Sequence, residues 1–146
     1  MEKRINIETT EPLAFKAMYG LVGYLATVKL SKSQMELIKM RASQINGCAF
    51  CIDMHTKEAL KNGETNQRIF LLNALHETDL FTAEEKALLA MTEEITLIHN
   101  HGLSDETYTK AMKYFDENQI AQIIMAIVTI NAWNRIAVST RQQPAQ

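Results

Sequence analysis

The sequence contains very little proline, only Pro12 and Pro144 among 146 residues. Proline is the residue that most reliably interrupts a helix, and nearly the whole chain lies between these two. Apolar residues in that span recur at intervals of three and four, as in Ile69, Leu72 and Leu75. No segment shows the apolar and polar alternation of a half-buried strand, so the sequence predicts an all-α fold.

No charge of one sign dominates, because 15 Lys and Arg residues are mixed with 17 Asp and Glu residues. A formal net charge of −2 offers no basic surface, so we expect neither nucleic acid nor a membrane surface as a partner. The most apolar segment, residues 120–133, is interrupted by polar residues and is shorter than the roughly 18 to 20 residues that span a bilayer. We interpret it as a buried helix, part of which could contact another subunit of a homo-oligomer.

The N-terminal segment, Met1 to Glu11, carries charges and lacks an apolar stretch of the length that a signal peptide needs. Two cysteines are too few for a disulfide framework, and their close spacing indicates redox or metal chemistry instead. The chain has no glycine-rich phosphate loop, so no organic cofactor is expected. We therefore expect a cytoplasmic protein whose most informative residues are Cys48 and Cys51.

Capping residues and glycines divide the chain into helices. Three pairs place a capping residue three positions before an acid or an amide: Ser33 with Glu36, Thr82 with Glu85, and Asp116 with Gln119. Gly63 and Gly102 stand where helices should end. The pattern predicts one domain over residues 1–146, with about six to seven helices and no sheet, and poor order in residues 1–10 and 142–146. The predicted helices are 12–29, 33–46, 48–61, 65–77, 82–100, 104–115 and 117–140.

The segment that carries the chemistry is Gly47-Cys48-Ala49-Phe50-Cys51-Ile52-Asp53-Met54-His55. Spacings of three and four place Cys48, Cys51 and His55 on one face of a helix. Apolar residues continue the same stripe, so these groups should share a partly desolvated pocket. Trp133 or Arg135 could border that pocket.

The two thiols differ in their expected surroundings. A break at Asn46-Gly47 would put Cys48 in the first turn of the next helix, where free N–H groups and the helix dipole favour a thiolate. His55 follows Cys51 by one turn and can accept its proton. One thiolate could then attack an electrophile, and the other could resolve the adduct as an intramolecular disulfide.

A zinc site and inert burial are the other uses of the cysteine pair. A structural zinc site needs four ligands, and a catalytic one needs three plus water. Cys48, Cys51 and His55 supply three, but ligands on one helix face do not readily encircle a metal. Glu36 could add a ligand from the preceding helix. Free cysteine is also a common core residue. We favour redox chemistry and expect no metal.

Glu36 has two possible roles. Ser33-Gln34-Met35-Glu36 is a good capping box, and that role alone would explain the glutamate. Alternatively, this helix packs antiparallel on the helix that begins at Cys48, so that the carboxylate meets His55, orients its ring and supports its charge. Spacing alone favours the cap.

Together, Glu36, Cys48, Cys51 and His55 resemble the AhpD-like core of the carboxymuconolactone decarboxylase superfamily, within residues 31–63. In that family a glutamate and eleven intervening residues precede C-x-x-C-x-x-x-H, and the four residues stand at those intervals here. The resemblance implies an all-α fold and a trimer or hexamer. It also implies reduction of a hydroperoxide through a dithiol, which a dithiol reductant or a redox protein partner would reset.

The resemblance makes Cys51 the peroxidatic thiol, Cys48 the resolving thiol, His55 the proton relay and Glu36 its support. The helix-terminus argument nominates Cys48 instead, and we favour Cys51 because proton transfer needs a partner within reach. Phe50 stands where the best-known peroxidases of the family carry a histidine. This difference also leaves open a disulfide reductase, a stress-linked thiol protein or a slow peroxidase. The further alternatives are a non-catalytic redox sensor or oligomer subunit, and a lactone decarboxylase, although that branch does not use the cysteine pair.

Overall fold

The computed structural model describes residues 2–144 and contains helices but no strand within that range. The α-helices are, in chain order, α1 (Ile7–Thr10), α2 (Pro12–Leu25), α3 (Lys32–Ile45), α4 (Ala49–Lys61), α5 (Asn66–Leu71), α6 (Ala83–Thr96), α7 (Asp105–Ala111) and α8 (Glu117–Thr140), and a 3₁₀ helix, Leu72–Glu77, follows α5. The all-α prediction is confirmed. The part of the predicted disorder that falls on residues 1, 145 and 146 lies outside the described residues.

The helix count exceeds the predicted six to seven for two local reasons. Asn6 caps the unpredicted α1 by accepting a hydrogen bond from the Glu8 N–H at 2.9 Å. The predicted helix 65–77 is divided, because the backbone leaves the α-conformation and continues as a 3₁₀ turn with a kink at Ala74.

Two of the three predicted capping boxes are present, at Thr82 with Glu85 and at Asp116 with Gln119. The third prediction is wrong, because Ser31 and Gln34 form the box that starts α3. The helix therefore begins ahead of Ser33, and Glu36 lies inside it. Its carboxylate is free to bind a partner from another helix.

The core lies around α3 and α8, which pack on each other and on α4 and α6. Ile123 and Ile127 of α8 are fully buried with Ile38, Leu88 and Met91. Each buried side chain of this size stabilises the fold by roughly 1.5 to 3 kcal/mol. By length and composition α8 could cross a membrane, but 56% of its most apolar window is buried in this fold. The interpretation of residues 120–133 as a buried helix is therefore confirmed.

The turn between α3 and α4 is held against α8 by a partly buried amide network. Gly47 adopts a left-handed conformation with φ +64°, which a residue without Cβ takes at little cost. The Asn46 side-chain amide donates to the side-chain oxygens of Asn131 at 3.0 Å and Asn134 at 2.9 Å. The Asn134 amide in turn donates to Ser43 Oγ at 3.0 Å. This network anchors on α8 the turn that precedes Cys48.

Arg68 of α5 connects to the first turn of α6. Its guanidinium lies 2.6 Å from Glu85 Oε1 and 2.9 Å from Glu64 Oε1, and it stacks over the Phe81 ring. Burial raises the pKa of the Glu85 carboxyl, but hydrogen bonds from Arg68 and the Thr82 N–H lower it by more. The net pKa of Glu85 lies below its ordinary value of 4.5.

We expect Glu85→Gln to lower the free energy of unfolding by about 1 to 3 kcal/mol near neutral pH, since it removes charge-assisted hydrogen bonds. The contribution of the carboxylate is fully present above about pH 4.5 and is lost as the pH falls through the lowered pKa of the folded state. Urea unfolding near pH 7 and near pH 3 should therefore show the gap between wild type and variant closing in acid. A gap that widens in acid would contradict this account of Glu85.

Candidate active site

Cys48 and Cys51 form a disulfide at the start of α4, with their Cα atoms 5.3 Å apart. Cys48 is the N-cap residue of α4, and its sulfur accepts a hydrogen bond from the Cys51 N–H at 3.4 Å. Cys48 is 1% exposed and Cys51 is 2% exposed, and both pack against Ala137 of α8 and Phe50. The structure thus places Cys48 at the helix terminus and within disulfide reach of Cys51.

His55 lies one turn after Cys51 on the buried face of α4, which also carries Ala59. Its Nδ1 lies 2.9 Å from Glu36 Oε2, and the Lys39 ammonium lies 2.9 Å from Glu36 Oε1. The packing of α3 on α4 brings this carboxylate to the imidazole. Of the two roles considered for Glu36, the structure therefore shows the contact with His55 and not the cap.

The ionisation of Glu36 fixes the tautomer of His55. Burial raises the pKa of the Glu36 carboxyl, but hydrogen bonds from His55 and Lys39 lower it by more, so the net pKa lies below 4.5. An ionised carboxylate can only accept hydrogen bonds, so the hydrogen of a neutral imidazole is on Nδ1. The other ring nitrogen, Nε2, is then the one that can accept a proton.

Cys51 and His55 both line a cavity of about 670 Å³ between α2, α3, α4 and α8. Its walls are mainly apolar, and one of them is an aromatic cluster in which Phe15, Tyr19 and Trp133 meet edge to face, with ring centroids 5.3 to 5.6 Å apart. Among the described residues that line the cavity, Cys51 is present and Cys48 is not. A molecule in the cavity therefore meets Cys51 first.

The cavity includes some residues that sequence reasoning named and some that it missed. Trp133 borders it, whereas Arg135 lies elsewhere and donates to the Asn131 carbonyl at 2.9 Å. Lys39 was missed, although its position three residues after Glu36 is a spacing at which helical side chains meet. Phe15 was missed because no sequence signal joins α2 to α8. Within residues 2–144, no group of three or more His, Cys, Asp or Glu side chains is arranged to hold a metal ion.

Comparison with known proteins places this site in a family. A model of the carboxymuconolactone decarboxylase family matches residues 12–94, which is more than half of the chain. The uncharacterized protein YdfG of Bacillus subtilis (strain 168) is 41% identical over 145 residues, and the match covers 99% of each chain. The chain belongs to the carboxymuconolactone decarboxylase family.

Solved structures agree with this assignment, and one of the similar proteins is described as AhpD. A protein of unknown function from Agrobacterium tumefaciens, described as a candidate antioxidant defence protein AhpD, is 40% identical, with a TM-score of 0.96 and 99% of each chain covered. The debrominase Bmp8 is 19% identical, with a TM-score of 0.82 over 94% of this chain and 74% of its own, and shares the fold. The resemblance of this family member to AhpD-like proteins is thus confirmed.

Proposed function

We propose that this family member is a thiol peroxidase that reduces hydroperoxides with Cys51 and Cys48. The proposal rests on one arrangement: Cys51 and His55 face the same cavity, and the partner that closes a disulfide with Cys51 is already beside it. Conversion of a dithiol to a disulfide releases the two electrons that cleavage of one O–O bond consumes. The site therefore contains the groups that a complete oxidative half-reaction needs.

In the proposed first step, the Cys51 thiolate attacks the terminal oxygen of the hydroperoxide. The O–O bond breaks, Cys51 becomes a sulfenic acid and the alkoxide leaves. His55 Nε2 takes the thiol proton before the attack and returns a proton to the alkoxide. Glu36 acts through His55, since its carboxylate holds the ring in the required tautomer and stabilises the imidazolium.

In the second step, the Cys48 thiolate attacks the sulfur of the sulfenic acid. The new S–S bond forms and the hydroxyl group leaves as water after it takes a proton. An external dithiol then reduces the disulfide, so the thiols provide all the electrons and the scheme uses no metal or organic cofactor. Because the cycle depends on such reductants, we propose the cytoplasm as its compartment.

The test of this function is hydroperoxide consumption under multiple-turnover conditions. Purified protein is mixed with cumene hydroperoxide and excess dithiothreitol, and protein pre-alkylated in the reduced state is the control. We expect many equivalents of hydroperoxide to be consumed per subunit above that control. Consumption that stops at one equivalent would favour a redox sensor, and consumption equal to the control would overturn the peroxidase.

We also propose that the protein forms a trimer or hexamer through α2. In the described chain α2 has no buried residue, and Leu13 and Tyr19 are 80% and 57% exposed. Val22 and Tyr24 of the same helix are also exposed, at 41% each, and exposed apolar side chains concentrated on one helix often contact another protein surface. Light scattering should give three or six times the chain mass of 16.6 kDa, and Leu13→Lys should shift the mass towards the monomer. A monomeric wild type would overturn this proposal.

A further inference from the structure

The two sulfurs of the disulfide have different surroundings. Cys51 lines the 670 Å³ cavity that His55 also faces. Both residues are nearly fully buried, but Cys48 does not belong to the described cavity lining, and its sulfur faces the first turn of α4. Attack on a disulfide requires a thiolate to reach one sulfur directly. A thiolate that enters the cavity can therefore reach the sulfur of Cys51 but not that of Cys48.

We propose that reduction of this disulfide begins with attack of an external thiolate on Cys51, with Cys48 as the leaving thiolate, and that the reductant enters through the hydroperoxide cavity. This inference rests on the proposed function for its biological role. The inference adds to that function which sulfur the reductant attacks. It also adds that the hydroperoxide and the reductant reach Cys51 by the same route.

The environment of Cys48 suits a leaving group. The Cys51 N–H already donates to the Cys48 sulfur at 3.4 Å, and Cys48 occupies the N-cap of a helix of 13 residues. Negative charge at this position interacts favourably with the free N–H groups and the helix dipole. A thiolate that is stabilised in this way leaves a disulfide faster. Access and leaving-group stability therefore select the same direction of attack.

The bonds and electrons balance over two exchanges. In the first, the bond between the reductant sulfur and Cys51 forms, the bond between Cys51 and Cys48 breaks, and its electron pair leaves on Cys48. In the second, another thiolate of the reductant attacks the reductant sulfur of this mixed disulfide and releases Cys51 as a thiolate. Two external thiols become one disulfide, and the two protons they release end on Cys48 and Cys51.

The first test identifies the sulfur that carries the mixed disulfide. Protein oxidised with diamide is mixed with glutathione and quenched after short delays with N-ethylmaleimide. Both cysteines lie in the tryptic peptide of residues 42–57, and fragmentation between Ala49 and Phe50 distinguishes them. We expect glutathione on Cys51 in about tenfold or greater excess at the earliest times. Glutathione mainly on Cys48, or equally on both, would overturn the proposal.

The second test blocks the cavity. It shows whether the reductant enters there even when the first test captures no mixed disulfide with glutathione. Met54 and Leu60 are exposed apolar residues of α4, at 45% and 40%, and of the two only Met54 lines the described cavity. Met54→Trp should slow reduction of the diamide-formed disulfide by dithiothreitol about tenfold, whereas Leu60→Trp should not. If Met54→Trp and Leu60→Trp both have the circular dichroism spectrum of wild type and their disulfides are reduced at equal rates, the shared route is overturned.

These assays consume no hydroperoxide, because diamide makes the disulfide. An absence of peroxidase turnover would therefore leave the direction of disulfide reduction measurable. Conversely, attack on Cys48 would leave the peroxidase proposal intact and remove only the present inference.

Discussion

Replacement of Cys51 by serine is expected to reduce hydroperoxide turnover at least about 1,000-fold, to the uncatalysed background. A serine hydroxyl in this position does not ionise near neutral pH, and it cannot form the sulfenic acid or the disulfide. The measurement is the steady-state loss of cumene hydroperoxide with excess dithiothreitol, corrected for the reaction without protein. The fold of the variant is checked by circular dichroism, since Cys51 is buried.

Cys48→Ser is the matched control for Cys51→Ser, because both variants lose the disulfide and only one loses the thiol that faces the cavity. We expect Cys48→Ser to consume one equivalent of hydroperoxide rapidly in the absence of reductant and to stop with Cys51 as a sulfenic acid. If Cys51→Ser instead retained the first oxidation and Cys48→Ser lost it, the roles of the two thiols would be exchanged. The helix-terminus argument would then be the correct one.

Glu36→Gln is expected to lower kcat/KM for hydroperoxide by about 100-fold, within the range that general base catalysis contributes. The carboxylate accepts from His55 Nδ1, whereas a glutamine amide can turn its NH₂ towards that nitrogen and donate. The ring hydrogen would then move to Nε2, which could no longer accept the Cys51 proton. Steady-state kinetics over a range of hydroperoxide concentrations measures the effect.

Glu85→Gln is the control, since Glu85, like Glu36, forms an ion pair, but it lies on α6 and binds Arg68 of α5 instead of a residue of the cavity. It should leave kcat/KM within about twofold, even though it lowers stability. A double variant of Glu36→Gln and His55→Ala should be no slower than His55→Ala alone, because Glu36 acts through His55. Additive losses in the double variant, or equal losses in Glu36→Gln and Glu85→Gln, would contradict the positioning role.

The sequence predicted those parts of the fold and site that depend on neighbouring residues. The caps at Thr82 and Asp116 are set by hydrogen bonds within a few residues. The break before Cys48 is set by the left-handed Gly47 and by the backbone hydrogen bond from the Cys48 N–H to the Ser43 carbonyl. The common face of Cys51 and His55 follows from helical geometry alone. Such features need no knowledge of how helices pack.

The remaining features depend on competition or on distant contacts. Two serines are suitable N-caps for α3. The helix starts after Ser31, where the side chains of Ser31 and Gln34 each accept a hydrogen bond from the backbone N–H of the other residue. The aromatic wall of the cavity joins residues of α2 to Trp133, which no local spacing signals. The exposure of apolar residues of α2 likewise becomes evident only once the other helices are in place.

The most direct test of the central claim is a single-turnover reaction of fully reduced protein with one equivalent of cumene hydroperoxide, followed by mass spectrometry and assay of the alcohol. We predict one equivalent of alcohol and the loss of two hydrogen atoms from the protein. The final yield of the disulfide between Cys48 and Cys51 should equal the yield of alcohol. In Cys48→Ser, a dimedone adduct should appear on Cys51. Alcohol formed while both thiols remain free, or hydroperoxide left unreacted with reduced protein, would contradict the account.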